Sequence, residues 1–598
     1  MKTFWKIVLG SLIGCLVAGL ICLFVMFGMI GSLSASVMSG GATAVSGSVL
    51  RIDGSTAIVE RVVEDMSPKA LMNRSKGGKL ALLDAVRAID AAAADPAIKL
   101  ICIEPDEMSG ISLANVEELR AALSRFRASG KPVVAYSGGF STVSYYLASV
   151  ADKVILNTEG SNMILGVASQ SIYLKELFDK LGVEYQLIRH GKYKSAGEMY
   201  IRSEMSDENR LQMQSMVDGL WGSLADEICA SRDFSRAELD GWVANLELDD
   251  AQSLLDRKLV DTIWYADQFK DYLTDLDQAK DYDHVKFVDL VDYAPAHLMQ
   301  TTRAKDKVAV LYANGEIVMS GDAEQSIVGD EFAAQVAKVR ADSTIKAVVF
   351  RVNSPGGSVQ ASQYVRREIE LLRATKPVIA SYGSYAASGG YWISSSCDKI
   401  FCDNTTLTGS IGVFSLIPNL GDAARKTLKV NIQTIGSHPH SDMMSAMRSL
   451  DGAELDYMQK SVEEIYDEFL SIVSAGRDLP KEKVDEIAQG RVWCGCDAFG
   501  IGLADEKGGL VDAIAYAASA AGLQDYRLEE YPAQKSTMER FLEAFGGSVG
   551  IKTLLSPAGE SLSGWERTQE QFLQAYSFLK NQDEPAVYAR MPFITEIK

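Results

Sequence analysis

A chain of 598 residues exceeds what one hydrophobic core usually organises, so several domains or a duplicated unit are expected. Hydrophobic residues make up 47% and charged residues 23%, which is ordinary for a folded protein with one apolar segment. A formal net charge of −20 excludes the extended basic faces that nucleic acid or an anionic lipid surface requires, so no nucleic-acid partner is expected.

Residues 7–30 carry no charge and are nearly all apolar or small. That length matches the roughly 20 residues needed to cross a bilayer and exceeds the apolar core of a cleaved signal peptide. Lys2 and Lys6 precede the segment, and SLSASVMSGGATAVSG follows it. The positive flank is expected to stay cytoplasmic and the body to lie on the other side. Residues 1–45 are therefore read as a transmembrane anchor and linker.

The rest of the chain repeats itself. IKLICIEPDEMSGISLANVEELRAAL from Ile98 and KPVVAYSGGFSTVSYYLASVADKVIL from Lys131 return as IKAVVFRVNSPGGSVQASQYVRREIELL from Ile345 and KPVIASYGSYAASGGYWISSSCDKIF from Lys376. The offset stays within 245–247 residues, being 247 at Ile98/Ile345 and again at Leu181/Leu428. Within each copy, short apolar runs alternate with helical patterns. KAVVFRV and KPVIASYG read as buried strands, VQASQYVRREIELLRA as a helix, and AASGGYWISSS as the start of another. This alternation implies an α/β fold of parallel βαβ units with right-handed crossovers. Residues 205–280 and 445–530 read as mostly helical peripheral segments. The expected division is 46–300 for the first repeat domain, 301–530 for the second, and 531–598 for a helical tail containing MERFLEAF and WERTQEQFLQAYSFLK.

In the first half, Lys194 precedes Ser195-Ala196-Gly197-Glu198, an S-x-x-E capping-box pattern. A lysine at a helix N-terminus feels a positive potential that disfavours its ammonium form. A solvated surface lysine would fit the same four residues.

In the second half, NSPGGSV at 353–359 follows a buried strand. Pro355 fixes one backbone angle, and Gly356-Gly357 let the chain turn its amides outward, as half of an oxyanion hole needs. The same residues would also serve an ordinary strand-to-helix turn. In SYAASGGYW at 384–392, Ser388 follows a strand, sits among small residues and opens a helix. Small neighbours let a carbonyl approach, and a helix N-terminus offers free amides. A close helix–sheet contact is the alternative for this motif alone; PGG and ASGG together in one βαβ unit are more specific.

A nucleophilic serine needs a base. The five histidines (His190, His284, His297, His438 and His440) form no Ser/His/Asp pattern. A lysine with a depressed pKa is the other option. The eight cysteines include no C-x-x-C pair, and the CGC at 494–496 is too tight for a zinc knuckle. No metal, cofactor or disulfide framework is expected, with a Cys397–Cys402 pair left open.

RVNSPGGSV, SYAASGGYW, TLTGSIGVF and GKYKSAGE together resemble the signal peptide peptidase A (protease IV) family in its long double-repeat form. The resemblance covers most of the chain after the anchor. It implies two tandem ClpP/crotonase-like domains, a Ser/Lys dyad, peptide-bond hydrolysis without a cofactor, released signal peptides and other apolar peptides as substrates, and a ring-like homo-oligomer, a tetramer. It places the protein in a bacterial inner membrane with a periplasmic body. Carried over by motif, it makes Ser388 the nucleophile, Lys194 the base, Ser410 the orienter of that base, and the amides of Gly357 and Gly389 the oxyanion hole. A crotonase-like acyl-CoA enzyme and a non-catalytic membrane scaffold of the same fold are the rival readings.

The offsets bear on this independently. Ser388 aligns with Thr142, Gly389-Gly390 with Val143-Ser144, Pro355-Gly356-Gly357 with Met108-Ser109-Gly110, Ser410 with Ile164, and Lys194 with Ser441. Each half lacks what the other holds.

Overall fold

The computed structural model describes residues 48–63, 78–106, 108, 110–158, 160–298, 304–533 and 588–591. The apolar segment at 7–30 lies outside them, as do both helix-like stretches of the tail. Among the described residues no helix is long and apolar enough to cross a membrane.

Each half is built on a parallel sheet. In the first half the strand order is Thr262–Ile263, Lys153–Leu156, Val133–Ser137, Ile98–Glu104, Ser48–Asp53, Phe287–Asp289. In the second half, Glu506–Lys507, Lys399–Cys402, Val378–Ala387, Ile345–Ser354, Lys307–Asn314 and Arg527–Tyr531 follow the same order. The second sheet also carries Leu407–Gly409 and Val492–Cys494. The last core strand, Arg527–Tyr531, runs past residue 530 into the segment read from sequence as helical tail.

The central strands are mostly apolar because both faces are covered. Along Lys307–Asn314, Ala309, Leu311 and Ala313 face one core, while Val308, Val310 and Tyr312 face another. The helix Val359–Arg373 follows the glycine loop. Ser358 caps it, accepting from the Ala361 N–H at 3.3 Å. Its buried residues Ala361, Val365, Ile369 and Leu372 recur at helical spacing and form one face against the sheet. Each such aliphatic side chain contributes about 1.5–3 kcal/mol when fully buried.

A third sheet joins the halves. Its order is Ser326–Val328, Glu316–Val318, Gly356–Ser358, Tyr588–Arg590, Val413–Asn419, Glu184–His190. The final strand belongs to the first half and runs antiparallel to Val413–Asn419 of the second, paired from Val413↔His190 to Asn419↔Glu184. A buried polar seam reinforces this union. Arg351 of the second half, fully buried, reaches Glu60 at 2.8 Å and Glu118 at 2.7 Å, both of the first. Glu117 accepts from the Thr405 N–H and hydroxyl at 3.0 and 2.9 Å.

Candidate active site

The strand Val378–Ala387 ends at Ser388, and the helix Gly389–Ser394 starts at the next residue. The turn is sharp enough to hold Ser388 at φ 55°, ψ −115°. A non-glycine residue held there costs roughly 1–3 kcal/mol. Two backbone bonds fix it. The Ser388 N–H donates to Gly409 O, and the Trp392 N–H donates to Ser388 O, both at 2.8 Å. Gly390 is obligatory for space, since a Cβ there would stand 2.6 Å from Ser354 O.

Lys194 arrives from the first half on the loop after Glu184–His190. Its Nζ lies 2.7 Å from Ser388 Oγ, and 3.0 Å from both the carbonyl and the hydroxyl oxygen of Ser410. All three side chains are fully buried. Among the described residues, Ser388 and Ser410 are the hydrogen-bond partners of the amine. Burial alone pushes the Lys194 pKa well below the usual lysine range, with no carboxylate opposing it. Ser410 is itself held at φ 51°. Both halves of the arrangement come from one chain.

The expected capping box is absent. The helix that follows is a single turn, Glu198–Ile201, whose N-cap is Gly197 with no side-chain cap. Ser195 instead donates to Asn209 Oδ1 at 2.9 Å. Glu198 accepts from the Ser206 hydroxyl at 2.7 Å and pairs with Arg189 at 3.1 Å, so its charge is directed away from the amine. Desolvation, rather than a helix terminus, depresses the lysine.

The cradle of Lys194 includes residues that the sequence patterns did not single out. The Tyr193 N–H donates to Gln489 O at 2.9 Å, and the Gly490 N–H to Ile411 O at 2.7 Å. Gly490 sits at φ 78°, and a Cβ on it would stand 2.5 Å from Lys194 Cβ. Gln212, 1% exposed, donates to Tyr193 O at 2.9 Å and accepts from the Val492 N–H at 3.2 Å, tying the two halves beside the amine. Neither residue stands in a motif, and each acts through a contact made across hundreds of residues.

Gly357 lies in the short strand Gly356–Ser358, beside Ile317, whose carbonyl would be 2.0 Å from a Cβ at this position. Gly389 opens the helix after Ser388. The glycine strand and the serine helix are in contact. Cys397 and Cys402 are free thiols.

A neutral amine at 2.7 Å from a serine hydroxyl can take its proton. The Peptidase family S49 model matches residues 125–280 and 370–524, once in each half, and the Clp protease model matches 299–405. The chain belongs to peptidase family S49. Protease 4 of Haemophilus influenzae is 36% identical over 465 residues, which cover 73% of this chain and 72% of that protein. Protease 4 of Salmonella typhi is 35% identical over 478 residues, 78% and 76% of the two chains. The chloroplastic serine protease SPPA of Arabidopsis thaliana is 31% identical over 492 residues, 81% and 70%. This S49 protein is a serine-type peptidase with a ClpP-like α/β fold, and its two halves are S49 repeats.

Proposed function

We propose that this S49 peptidase is a membrane-anchored endopeptidase in which Ser388 is the nucleophile and Lys194 the general base. It acts on released signal peptides and other apolar peptides. The observation that carries the reading is the buried Lys194 amine 2.7 Å from Ser388 Oγ, free of any carboxylate partner among the described residues. Lys194 accepts the hydroxyl proton as Oγ attacks the peptide carbonyl. The Gly357 and Gly389 amides stabilise the oxyanion, and Lys194 returns the proton to the leaving nitrogen. Water then hydrolyses the ester by the same route in reverse. Ser410 holds the amine on this path with two oxygens. An apolar cluster beside the serine, including Ala387, Met213, Met216 and Leu220, suits apolar side chains. Fluorophosphonate labelling is the direct test. Ser388 should carry the label, and Ser388→Ala should abolish it; label on Ser384 or Ser354 would overturn the assignment.

The anchor at 7–30 rests on its uncharged length and on Lys2 and Lys6. The protein should resist a carbonate wash, and its body should be open to protease from the periplasmic side of an inner membrane. A mature N-terminus following Gly31 would show a cleaved signal instead.

A ring-like homo-oligomer, a tetramer, completes the proposal. At the 247-residue offset, Ile188 of the cross-paired strand corresponds to Ile435. Ile188 is 4% exposed, whereas Ile435 is 99% exposed and Ile432, Val430 and Leu428 are each at least half exposed. A neighbouring copy that offers its first half to this segment would repeat between chains the contact made inside each. Ile435→Asp should lower the mass measured by light scattering; an unchanged mass would remove this interface.

A further inference from the structure

Cys494-Gly495-Cys496 is spaced too tightly for a zinc knuckle, and the dyad makes no use of it. Its place in the fold is specific. Val492–Cys494 is a strand, and the helix Gly495–Ala498 starts at the next residue. Side chains two apart in a strand share a face, and this turn keeps that relation. Both thiols point at the helix Asp207–Arg232 of the first half. A Cβ on its Gly219 would stand 3.2 Å from Cys496 Sγ and 3.4 Å from Cys494 Sγ, so the two sulfurs converge on one point. Gly495 is needed between them, because a Cβ there would stand 1.9 Å from Asp403 O.

The two thiols differ. Cys494 is 1% exposed and donates to Asn404 O at 3.0 Å. Cys496 is only partly buried. The hydrogen bond between the side chains pulls the Cys496 thiol below the usual cysteine range and pushes the Cys494 thiol up. A reachable thiol that ionises readily, beside a buried one that does not, makes an attacking and a resolving pair.

The same strand also holds the dyad. Gly409 pairs with Val492, and its carbonyl accepts from the Ser388 N–H at 2.8 Å. The Arg491 carbonyl accepts from the Ser410 N–H at 2.7 Å, and Gly490 abuts Lys194. The three residues before Trp493 therefore touch the surroundings of nucleophile, orienter and base.

We propose that Cys494 and Cys496 are a reversible disulfide site through which a small-molecule disulfide, such as oxidised glutathione, turns the peptidase off. The inference rests on the dyad reading above. Cys496 Sγ, as thiolate, attacks one sulfur of the external disulfide and expels one thiolate, which takes up the proton that Cys496 has released. Cys494 Sγ then attacks Cys496 Sγ, and the second external thiolate leaves with the Cys494 proton. The protein dithiol is oxidised, and the external disulfide is reduced to two thiols. Both cysteines are free in this structure and the dyad is in hydrogen-bond reach, so the reduced chain is the competent form. A sulfur–sulfur bond of about 2.05 Å requires Cys494 Sγ to leave Asn404 O, and the strand end moves with it. A shift of about 1 Å passed to the dyad costs ~10²-fold in rate.

The full chain equilibrated with oxidised or reduced glutathione tests this. Trypsin cuts after Arg491 and Lys507, so one peptide of residues 492–507 carries both cysteines. After the oxidised buffer it should be lighter by two hydrogen atoms. In parallel, kcat on an apolar reporter peptide should fall ~10–100-fold and return with dithiothreitol. Cys496→Ser should keep the kcat of the reduced chain and lose the response to oxidised glutathione. Cys494→Ser should stop at a glutathione adduct on Cys496. Two thiols that stay open to alkylation, a bridge to Cys402 instead, or a Cys494–Cys496 bridge that leaves kcat unchanged would each overturn the proposal and leave the dyad standing. A reduced chain that fluorophosphonate does not label at Ser388 removes the dyad reading and the switch with it.

Discussion

Thr142 and Ser388 occupy the same place in the two halves. The tyrosines three residues on, Tyr145 and Tyr391, both donate their hydroxyls to a leucine carbonyl, Leu259 at 2.7 Å and Leu503 at 3.0 Å. Yet Thr142 accepts from the backbone N–H groups of Leu165 and Gly166 at 3.1 and 3.2 Å, satisfied by its own half. Ser388 is held at φ 55° and turned toward an amine from the other half. Lys194 is fully buried, while its counterpart Ser441 lies exposed in a turn. A duplicated fold keeps this packing in both copies, but at these positions the left-handed serine belongs to one copy and the desolvated amine to the other, and they meet at the junction.

The largest expected effect separates the paired residues. Ser388→Ala should lower kcat by ~10⁴-fold or more in a peptidase assay, with an unchanged circular dichroism spectrum. Thr142→Ala should leave kcat within about twofold. Equal losses would make the first half an active site as well. Lys194→Ala should match the serine variant, and Lys194→Arg should not restore activity, because a guanidinium stays protonated. Ser441→Ala should be silent. The required form of Lys194 is the neutral amine, so kcat/KM should fall as pH drops through its pKa. That ionisation should lie well below 10.5, the direction in which burial moves it.

The seam comes next. Arg351→Met leaves Glu60 and Glu118 buried without their partner and should cost about 3–5 kcal/mol in thermal or urea unfolding. If the halves were independent, the second half alone would lose stability; a single, uniformly shifted transition is expected. The smallest effect contrasts two left-handed glycines. Gly490 at φ 78° touches Lys194, while a Cβ added to Gly110 at φ 71° would meet nothing within 4 Å. Both alanine variants carry about 1 kcal/mol of backbone strain. Only Gly490→Ala should also displace the amine and lower kcat, by ~10²-fold.

The repeat and the main strands were legible because each is written locally, as apolar runs at strand spacing that recur at one offset. Ser388 was legible because a strand, a serine and two glycines are contiguous. The strand Glu184–His190 was not, since its partner lies more than 200 residues away and its sequence, EYQLIRH, alternates only weakly. Gln212 and Gly490 were invisible for the same reason. The capping-box reading failed because Ser195 found Asn209 and Glu198 found Ser206 and Arg189, partners set by the tertiary fold. The strand at Tyr588–Arg590 carries no local signal of the sheet it joins.

The pairing of Glu184–His190 with Val413–Asn419 also sets a clock. Ribosomes add about 5–20 residues per second, and an N-terminal domain folds first. Lys194 emerges early, but its cradle closes only with Gly490, roughly 300 residues later, a delay of about 15–60 s at that pace. A nascent chain thus carries Lys194 without its buried cradle for about half of its synthesis. On the roles proposed for Ser388 and Lys194, splitting them across the duplication delays peptide hydrolysis until Gly490 has been made, so the shorter nascent chain is no threat to its neighbours.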